Sequence, residues 1–383
     1  MPQPDRLTPT LQLVADVAGV HRSTASRALN PETAHRLNPE LVGRIRQVAS
    51  DLGYRRDAAA AALRTGRTQL IGVLVPDIAN PVFGPILNGI ETELAAKGFS
   101  LIIANAGDEA ERQIEIIEHL LARRVEGIIL ATARENDPTL DRCLALGTPV
   151  VLVNRAAASA RVSAVVTDDH KGMGYAVAHL ATLGHRKIAH LAGPQDLSTG
   201  RLRQEGFCAA MRRADLAPSA IVVATAYSRE AGREAALELL ECQGVTAIAA
   251  ANDLLALGCY QVLSERGLSC PGDLSIVGHN DMPLVDMANP PLTTVRIRPV
   301  EMGRRAAELL LQQLGATEYA PLLEMTEPEL VIRSSTAPPK ISETHMQGDD
   351  RQNKDRQNKD RQNKDRQNKD GQEICGTAFL ADI

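Results

Sequence analysis

Five polar side chains near the N-terminus have the chemistry needed to read nucleic-acid bases. They are His21, Arg22, Ser23, Ser26 and Arg27, and they occupy one predicted helix from about His21 to Leu29. Ala25 and Leu29 of that helix can face inward. Arginine can donate two hydrogen bonds to guanine, and serine and arginine can hold phosphates. The plainer interpretation is a solvated face on an ordinary three-helix unit.

A second set of polar side chains follows apolar runs further along the chain. In open α/β sheets, ligands bind beyond the carboxyl ends of the strands. We therefore expect these residues to surround a polar small molecule in a cleft between two lobes. The alternative is that each Asn or Asp only caps the next helix. These positions read Pro76-Asp77 and Asn80, then Asn154-Arg155, Asp168-Asp169, Gly193-Pro194, Asn252-Asp253 and Gly278-His279-Asn280-Asp281.

Three short helices are predicted to carry the first set. Thr10 can cap a helix over residues 11–18, and Gly19 allows a tight turn before the second helix. The third helix begins with the N-cap Asn38 and Pro39, and ends near Leu52 before Gly53. This arrangement is typical of a helix-turn-helix unit. Its predicted mini-core consists of Val14, Val17, Val20, Ala25, Leu29, Leu41, Ile45, Val48 and Leu52.

Residues 70–340 alternate short apolar runs with amphipathic helical patterns. Fully apolar strands alternating with helices indicate parallel sheets covered on both faces. Ten such runs are too many for one compact sheet of the mononucleotide-binding type, so we predict an α/β core of two doubly wound lobes behind a small all-α head. The runs are 70–75, 101–104, 127–131, 150–153, 165–166, 187–192, 221–224, 247–251, 274–277 and 294–297.

Composition restricts the classes of protein that fit. The net charge of −5 excludes a protein that coats nucleic acid over its whole surface, yet residues 1–69 hold ten arginines against six acidic residues. Aromatic residues make up only 2%. The six cysteines show no C-x-x-C pair, and no histidine cluster has metal-ligand spacing, so we expect no metal and no cofactor. No apolar stretch reaches 18 residues and no export signal is evident, so we expect a cytoplasmic chain with no membrane partner.

The tail carries Arg-Gln-Asn-Lys-Asp four times, from Arg351 to Asp370. The repeat contains no apolar residue, so it cannot bury enough surface to offset the entropy of ordering. We therefore predict four zones: a head over 1–53, a hinge and linker over 54–69, a core over 70–340, and a disordered tail over 341–383.

Several segments in order resemble the lactose-repressor (LacI) family. Similarity runs over about residues 10–336, and the family implies a dimeric repressor with a major-groove head, a hinge helix and a core that senses a small effector. The first segment reads LQLVADVAGV followed by STASRALN. Others read LGY at 52–54, LRTGRT at 63–68, IGVLVPD at 71–77, GHRKI at 184–188 and NPPLTTV at 289–295.

Carried over by position, the resemblance assigns roles to individual residues. His21, Arg22 and Ser23 would read bases, with Thr24, Ser26 and Arg27 as backbone anchors. The hinge helix would span 58–64, with Leu63 as a minor-groove wedge. The implied effector residues are Asp77, Asn80, Phe83, Arg155, Asp168, Arg203, Asn252 and Asn280. Two positions depart from the family: 54–57 reads YRRD where a Pro and an Asn are common, and Asn280 stands where many members have Asp.

The leading hypothesis is thus a sequence-specific regulator that binds a pseudo-palindromic operator as a homodimer and responds to a sugar, sugar acid or similar effector. A solute-binding receptor would fit the core alone, but it has no use for a basic head. An enzyme is a third alternative, although the sequence has no dinucleotide-binding glycine motif, P-loop, G-x-S-x-G or H-E-x-x-H. Whether the effector induces or co-represses stays open.

Overall fold

A computed structural model describes residues 9–54 and 67–340. The head contains α1 (Leu11–Val17), α2 (Arg22–Ala28), the short α3 (Pro31–Ala34) and α4 (Pro39–Asp51). Thr10 caps α1 by accepting from Leu13 N, and Asn38 caps α4 by accepting from Glu40 N. Gly19 adopts φ +63° in the turn before α2, a left-handed conformation that favours glycine. The three predicted helices are confirmed, and α3 is additional.

The head closes around a small apolar core. Val14, Ala25 and Ile45 are fully buried, while Val20, Leu29, Leu41, Val48 and Leu52 pack against it partly buried. Val17 is an exception, since 56% of it is exposed. Its predicted place in the mini-core is wrong, because the face of α1 that contacts α2 and α4 carries Val14, Ala15 and Ala18 instead.

The described chain, head included, divides into two compact units, and it contains two six-stranded sheets. The first unit comprises the described residues up to Ala79, Phe83–Val165 and Val300–Leu323. The second comprises Asn80–Val82, Val166–Pro299 and the described residues from Glu324. In the first sheet the strand order is β11 (Leu323–Thr326), β5 (Ser163–Thr167), β4 (Val150–Val153), β3 (Gly127–Leu130), β1 (Leu70–Val75), β2 (Ser100–Asn105). In the second it is β12 (Glu329–Val331), β10 (Thr293–Arg296), β9 (Ser275–Asn280), β8 (Ala247–Ala250), β6 (Ile188–Ala192), β7 (Ile221–Val223). Non-sequential neighbours in both orders reflect crossover connections through helices.

The elements of the first sheet alternate strand and helix. Apolar strand residues pair in parallel, for example Val73 with both Ile103 and Ile129. Gly127 lets a helix approach the sheet, because a Cβ there would lie 2.9 Å from Leu310 Cδ1. The elements are β1 (Leu70–Val75), α5 (Phe83–Ala96), β2 (Ser100–Asn105), α6 (Ala110–Ala122), β3 (Gly127–Leu130), α7 (Pro138–Ala145), β4 (Val150–Val153), β5 (Ser163–Thr167), α12 (Pro299–Gly315) and β11 (Leu323–Thr326).

The second sheet is covered by apolar cores on both faces. Along β8, Ala247 and Ala249 belong to one core and Ile248 and Ala250 to another, as expected when successive side chains point to opposite faces. The elements are α8 (Asp169–Thr182), β6 (Ile188–Ala192), α9 (Ser198–Arg213), β7 (Ile221–Val223), α10 (Arg229–Leu239), β8 (Ala247–Ala250), α11 (Asp253–Glu265), β9 (Ser275–Asn280), a 3-10 turn (Val285–Met287), β10 (Thr293–Arg296) and β12 (Glu329–Val331).

The predicted fold class is confirmed, and each of the ten apolar runs contributes a strand. The prediction missed two edge strands, β11 and β12. They are short and incompletely buried, and β12 pairs antiparallel to β10. They therefore lack the continuous apolar signal of a strand covered on both faces. Among the described residues, no helix is long and apolar enough to cross a membrane.

Candidate functional site

The predicted reading face lies at the exposed N-terminal end of α2. His21, Arg22, Ser23 and Arg27 are exposed and Thr24 and Ser26 are half-buried, while Ala25 and Ala28 face the head core. Within residues 9–54 and 67–340, neither Arg22 nor Arg27 has its guanidinium in a hydrogen bond or an ion pair. These guanidinium groups can therefore donate to an acceptor on another molecule, and each end of the reading face carries a positive charge.

His21 has a structural role in addition to its predicted one. It is the N-cap of α2, where its Nδ1 accepts from Ser23 N at 3.2 Å and lies 2.8 Å from Ser23 Oγ. In the tautomer that accepts this bond, the ring proton is on Nε2. His21 therefore fixes the start of the helix and still offers one donor. Leu63 and the predicted hinge helix lie outside the described residues.

The first unit contributes three of the predicted effector residues. Asp77 follows β1, is exposed, and accepts from Ala79 N at 2.9 Å. Phe83 is 2% exposed at the start of α5. Arg155 follows β4 and is 6% exposed. Asn80, which belongs to the second unit, is 9% exposed and accepts from Val82 N at 3.2 Å. Asp77 and Asn80 thus shape the turn after β1.

The other four predicted residues lie in the second unit. Asn252 and Asn280 lie at the carboxyl edge of the second sheet, after β8 and at the end of β9, whereas Asp168 follows β5 of the first sheet. Asp168 caps α8 by accepting from Lys171 N, and Asn252 caps α11 by accepting from Leu255 N, each at 2.9 Å. For these two oxygens the helix-capping alternative is correct. Asn252 is also 2% exposed, so its amide group is held rigidly next to the sheet.

Of these four residues, Asn280 is the one with a buried side-chain atom that lacks a hydrogen-bond partner in the described chain. It ends β9 with φ 114°, a backbone conformation that non-glycine residues rarely adopt. Its side chain is 7% exposed, and within the described chain its Oδ1 has no hydrogen-bond partner. Strained backbone and unpaired buried acceptors concentrate at ligand sites, so Asn280 is a candidate acceptor for a ligand hydroxyl.

Arg203 is held at the same edge by three contacts. Its Nε donates to Asp169 Oδ1 at 2.8 Å, and its Nη1 donates to the carbonyl oxygen of Ala251 at 2.6 Å. Its Cζ lies 6.0 Å from the ring centroid of Tyr227. Tyr227 in turn lies over Gly193, where a Cβ would come within 2.3 Å of the Tyr227 hydroxyl. A glycine after β6 therefore makes room for the aromatic ring beside Arg203.

Three of the polar residues predicted at strand ends are ionisable and buried beneath this edge. Asp169 is 3% exposed, and its Oδ1 lies 3.4 Å from Nε2 of the fully buried His279. Asp253, also fully buried, accepts from Thr294 Oγ1 at 2.6 Å and from Met282 N at 2.8 Å. Each of the three is adjacent in sequence to a predicted effector residue: Asp168, Asn252 or Asn280.

Burial shifts the pKa values of these groups. It raises the pKa of Asp253 to about 7 despite its two hydrogen bonds. For His279, burial and then the charge of Arg203 lower the pKa to about 4. Burial opposes ionisation of Asp169 as well, but Arg203 and His279 outweigh it and lower the pKa of that carboxyl. The edge therefore holds an ionised Asp169–Arg203 pair beside a neutral imidazole at pH 7.

The chain is similar to known proteins over most of its length. A model of the periplasmic binding protein-like domain matches residues 177–336. An HTH-type transcriptional regulator in the aml 5′ region of Streptomyces limosus is 35% identical over 349 residues, which is 88% of this chain and 98% of the relative. The structure of the lac repressor dimer bound to operator and the anti-inducer ONPF has 27% identity and a TM-score of 0.76, covering 86% of this chain and 99% of that one.

A second solved structure extends the similarity to a ligand complex. The complex of the transcriptional regulator CelR with cellobiose has 29% identity and a TM-score of 0.67, covering 85% of this chain and 99% of that one. These matches span the head and both sheets, and the Streptomyces relative matches over nearly its whole length. The chain therefore belongs to the lactose-repressor (LacI) family of helix-turn-helix transcriptional regulators.

Proposed function

We propose that this chain regulates transcription by binding operator DNA through α2, with an affinity that a small-molecule effector controls. The observation that carries the proposal is the exposed pair Arg22 and Arg27 at the two ends of α2, whose guanidinium groups have no partner within the described residues. An N-terminal helix end with exposed donors is what major-groove reading requires. His21, Arg22 and Ser23 would contact bases, and Thr24, Ser26 and Arg27 would contact the backbone.

Homodimeric binding is part of the proposal. The lac repressor structure is a dimer on its operator. Two copies of one head would read two half-sites related by symmetry, so the operator would be pseudo-palindromic. Leu63 from each copy would insert between base steps at the centre and kink the DNA. We also propose a division of the chain into a head over residues 1–53, a hinge over 54–69, a core over 70–340, and a tail over 341–383 that belongs to neither the head nor the core.

The effector would bind beyond the carboxyl ends of the strands in the core. Asn280 supports this with a buried acceptor that lacks a partner within the described residues, and Arg203 supports it with a fixed guanidinium. CelR was solved with cellobiose, so a carbohydrate is the ligand class we propose here. The contributing residues would be Asp77, Asn80, Phe83, Arg155, Asp168, Arg203, Asn252 and Asn280.

Regulation would follow from linkage. An effector that binds one core conformation more tightly shifts the chain toward it, and operator affinity changes by the same coupling free energy. Typical coupling is about 1–3 kcal/mol. We propose no catalytic step, and a regulator of this kind would act in the cytoplasm, where bacterial DNA is found.

A gel-shift titration tests the proposal. The full chain is titrated onto DNA from upstream of its own coding region, with an unrelated duplex of equal length as competitor. We expect specific complexes that the Arg22→Ala variant forms poorly and that the Arg212→Ala variant, which loses an equal charge at an exposed site of α9, forms normally. Equal affinity of the wild-type chain for both duplexes would contradict sequence-specific binding to this DNA.

A further inference from the structure

Arg203 is a charged group whose charge is already compensated inside the fold. It is 3% exposed, as is its partner Asp169. The partners come from different helices, with Asp169 at the first position of α8 and Arg203 in α9. Gly206 lets the two helices pack closely, since a Cβ there would lie 2.7 Å from the backbone of His170. The ion pair is therefore built into the contact between α8 and α9.

Two further ionisable groups face the pair, and neither adds positive charge at neutral pH. His279 lies 3.4 Å from Asp169, and Gly172 accommodates its ring because a Cβ there would approach His279 Cε1 to 2.8 Å. Burial and the charge of Arg203 keep that imidazole neutral. Asp253 interacts electrostatically with Arg203 and brings a second carboxyl to the cluster. One guanidinium thus faces two carboxyls.

The hydrogen bonds of Arg203 within the described chain use Nε and Nη1. Nη2 is left to donate to a ligand, and the two other bonds fix its direction. We propose that Asp169 positions Arg203 and determines specificity, so that this subsite accepts a neutral polyol and rejects carboxylate and phosphate groups. The proposal rests on the proposed effector site and goes beyond it by naming the charge that the site selects.

The selectivity follows from electrostatics in a buried site. A hydroxyl group of a neutral sugar can accept from Nη2 without changing the net charge of the Asp169–Arg203 pair. A carboxylate bound to Arg203 would bring the net charge of the Asp169–Arg203 pair and its ligand to −1, beside the further carboxyl of Asp253. Desolvating an uncompensated charge costs more free energy than hydrogen bonding to one shared guanidinium restores. An arginine in a ligand site often suggests an anionic ligand, but here the carboxylate of Asp169 already pairs with the guanidinium of Arg203.

The test uses pairs of neutral sugars and their aldonic acids as probes: glucose and gluconate, galactose and galactonate, ribose and ribonate, cellobiose and cellobionate. Each is titrated into the full chain at pH 7.5 and constant ionic strength, and affinity is measured by calorimetry after a thermal-shift screen. Wild-type protein should bind at least one neutral sugar, with its acid at least tenfold weaker. A wild-type preference for any acid over its sugar would overturn the proposal, as would failure to bind any neutral member.

The Asp169→Asn variant provides the second arm. Asparagine keeps an oxygen for Arg203 Nε but removes the charge, so the sugar-to-acid affinity ratio should fall at least tenfold. Glu265→Gln is the matched control, because it removes an equal charge from the exposed pair with Arg233 in the same unit. The control should keep the wild-type ratio. An unchanged ratio in Asp169→Asn would refute the role of Asp169.

Operator binding is measured on the same preparations to separate the two proposals. A wild-type chain that binds its upstream DNA but prefers acids keeps the proposed function and loses this inference. The wild-type measurement needs no substitution. It can therefore refute the inference even if the Asp169→Asn variant does not fold.

Discussion

Arg203 and Asp169 form an ion pair in which both side chains are 97% removed from solvent, with Nε donating to Oδ1 at 2.8 Å. Ion pairs buried in this way contribute little net stability compared with apolar residues of similar size. Removing one partner, however, leaves the other charge uncompensated in a medium of low dielectric constant. The pair therefore couples the stability of the second unit to the guanidinium of Arg203, the group that we propose contacts the effector.

A double-mutant comparison tests this link. Arg203→Ala should lower the free energy of unfolding by about 3–5 kcal/mol, because it strands Asp169. Arg203→Met combined with Asp169→Asn should recover most of that loss, since neither charge of the ion pair remains. Urea unfolding of the full chain measures both. Equal losses of unfolding free energy in Arg203→Ala and in the double variant would show that the unpaired charge of Asp169 does not cause the destabilisation.

The double variant also gives a cleaner test of the effector site than Arg203→Ala. It should lose the effector response while operator affinity stays near the wild-type value, because α2 is untouched. The readout is the shift in operator affinity on adding a sugar that the wild-type protein binds. A normal shift in the double variant would remove Arg203 from the proposed effector site.

Base reading is predicted for Arg22. Arg22→Ala should cost about 1–3 kcal/mol on the preferred operator and relax base choice at one position in each half-site. Binding to a library with each operator position randomised in turn measures both effects. Arg212→Ala is the control of equal charge. If Arg22→Ala weakens every sequence by the same factor, Arg22 contacts only phosphate.

The sequence predicts the architecture of this chain well because burial imposes a strong pattern. Strands β3, β4 and β8 are buried at every position, and their sequences are accordingly apolar throughout. The helix caps Thr10 and Asn38 were equally predictable, since local side-chain chemistry determines them. Val17 was not, because spacing along α1 does not reveal which of two adjacent apolar faces will meet α2 and α4.

The cluster around Arg203 illustrates what sequence does not provide. Asp169, Arg203 and His279 belong to α8, α9 and β9, and they meet only after the sheet has assembled. Their spacing along the chain follows no local period. The sequence places Arg203 among the effector residues through the family resemblance, and only the fold shows that Asp169 neutralises its charge.

A buried imidazole predicts an acid sensitivity. His190 in β6 is fully buried, donates from Nδ1 to the carbonyl oxygen of Ala249 at 2.7 Å, and stacks on Phe207 at 4.7 Å. Burial lowers its pKa to about 4. Since the unfolded chain binds this proton near pH 6.5, the contribution of His190 to stability is present above that pH and is lost as the pH falls toward 4.

Between pH 7 and pH 5, the free energy of unfolding of His190→Phe should therefore fall by about 2 kcal/mol less than that of the wild type, as measured by urea unfolding at each pH.

Asp253 should act in the opposite direction. Its pKa is raised to about 7, so its contribution is present at low pH and is lost as the pH rises from about 4 to 7. Asp253→Asn should accordingly lose more stability than the wild type over the same interval. Parallel pH profiles for all three proteins would contradict both assignments.

The last prediction concerns the C-terminal end of the described chain. Residues 333–340 are tied to the second unit by buried hydrogen bonds. His185 Nε2 lies 2.8 Å from the carbonyl oxygen of Ala337, and Ala337 N donates to Ser275 Oγ at 3.0 Å. Ser335, which is fully buried, donates from Oγ to the carbonyl oxygen of Ile276 at 2.6 Å. This segment is therefore part of the folded unit.

Two truncations should separate this segment from the repeat that follows it. Stopping after Lys340 removes the Arg-Gln-Asn-Lys-Asp repeats, which have no apolar side chain to bury, so the melting temperature, dimerisation and DNA binding should be nearly unchanged. Stopping after Ile332 leaves His185, Ser275 and Ile276 without these partners, and each unsatisfied buried group costs about 1–3 kcal/mol. We expect the shorter chain to melt many degrees lower in a calorimetric scan. A drop of several degrees after the Lys340 truncation would instead show that the repeat tail contributes to the folded protein.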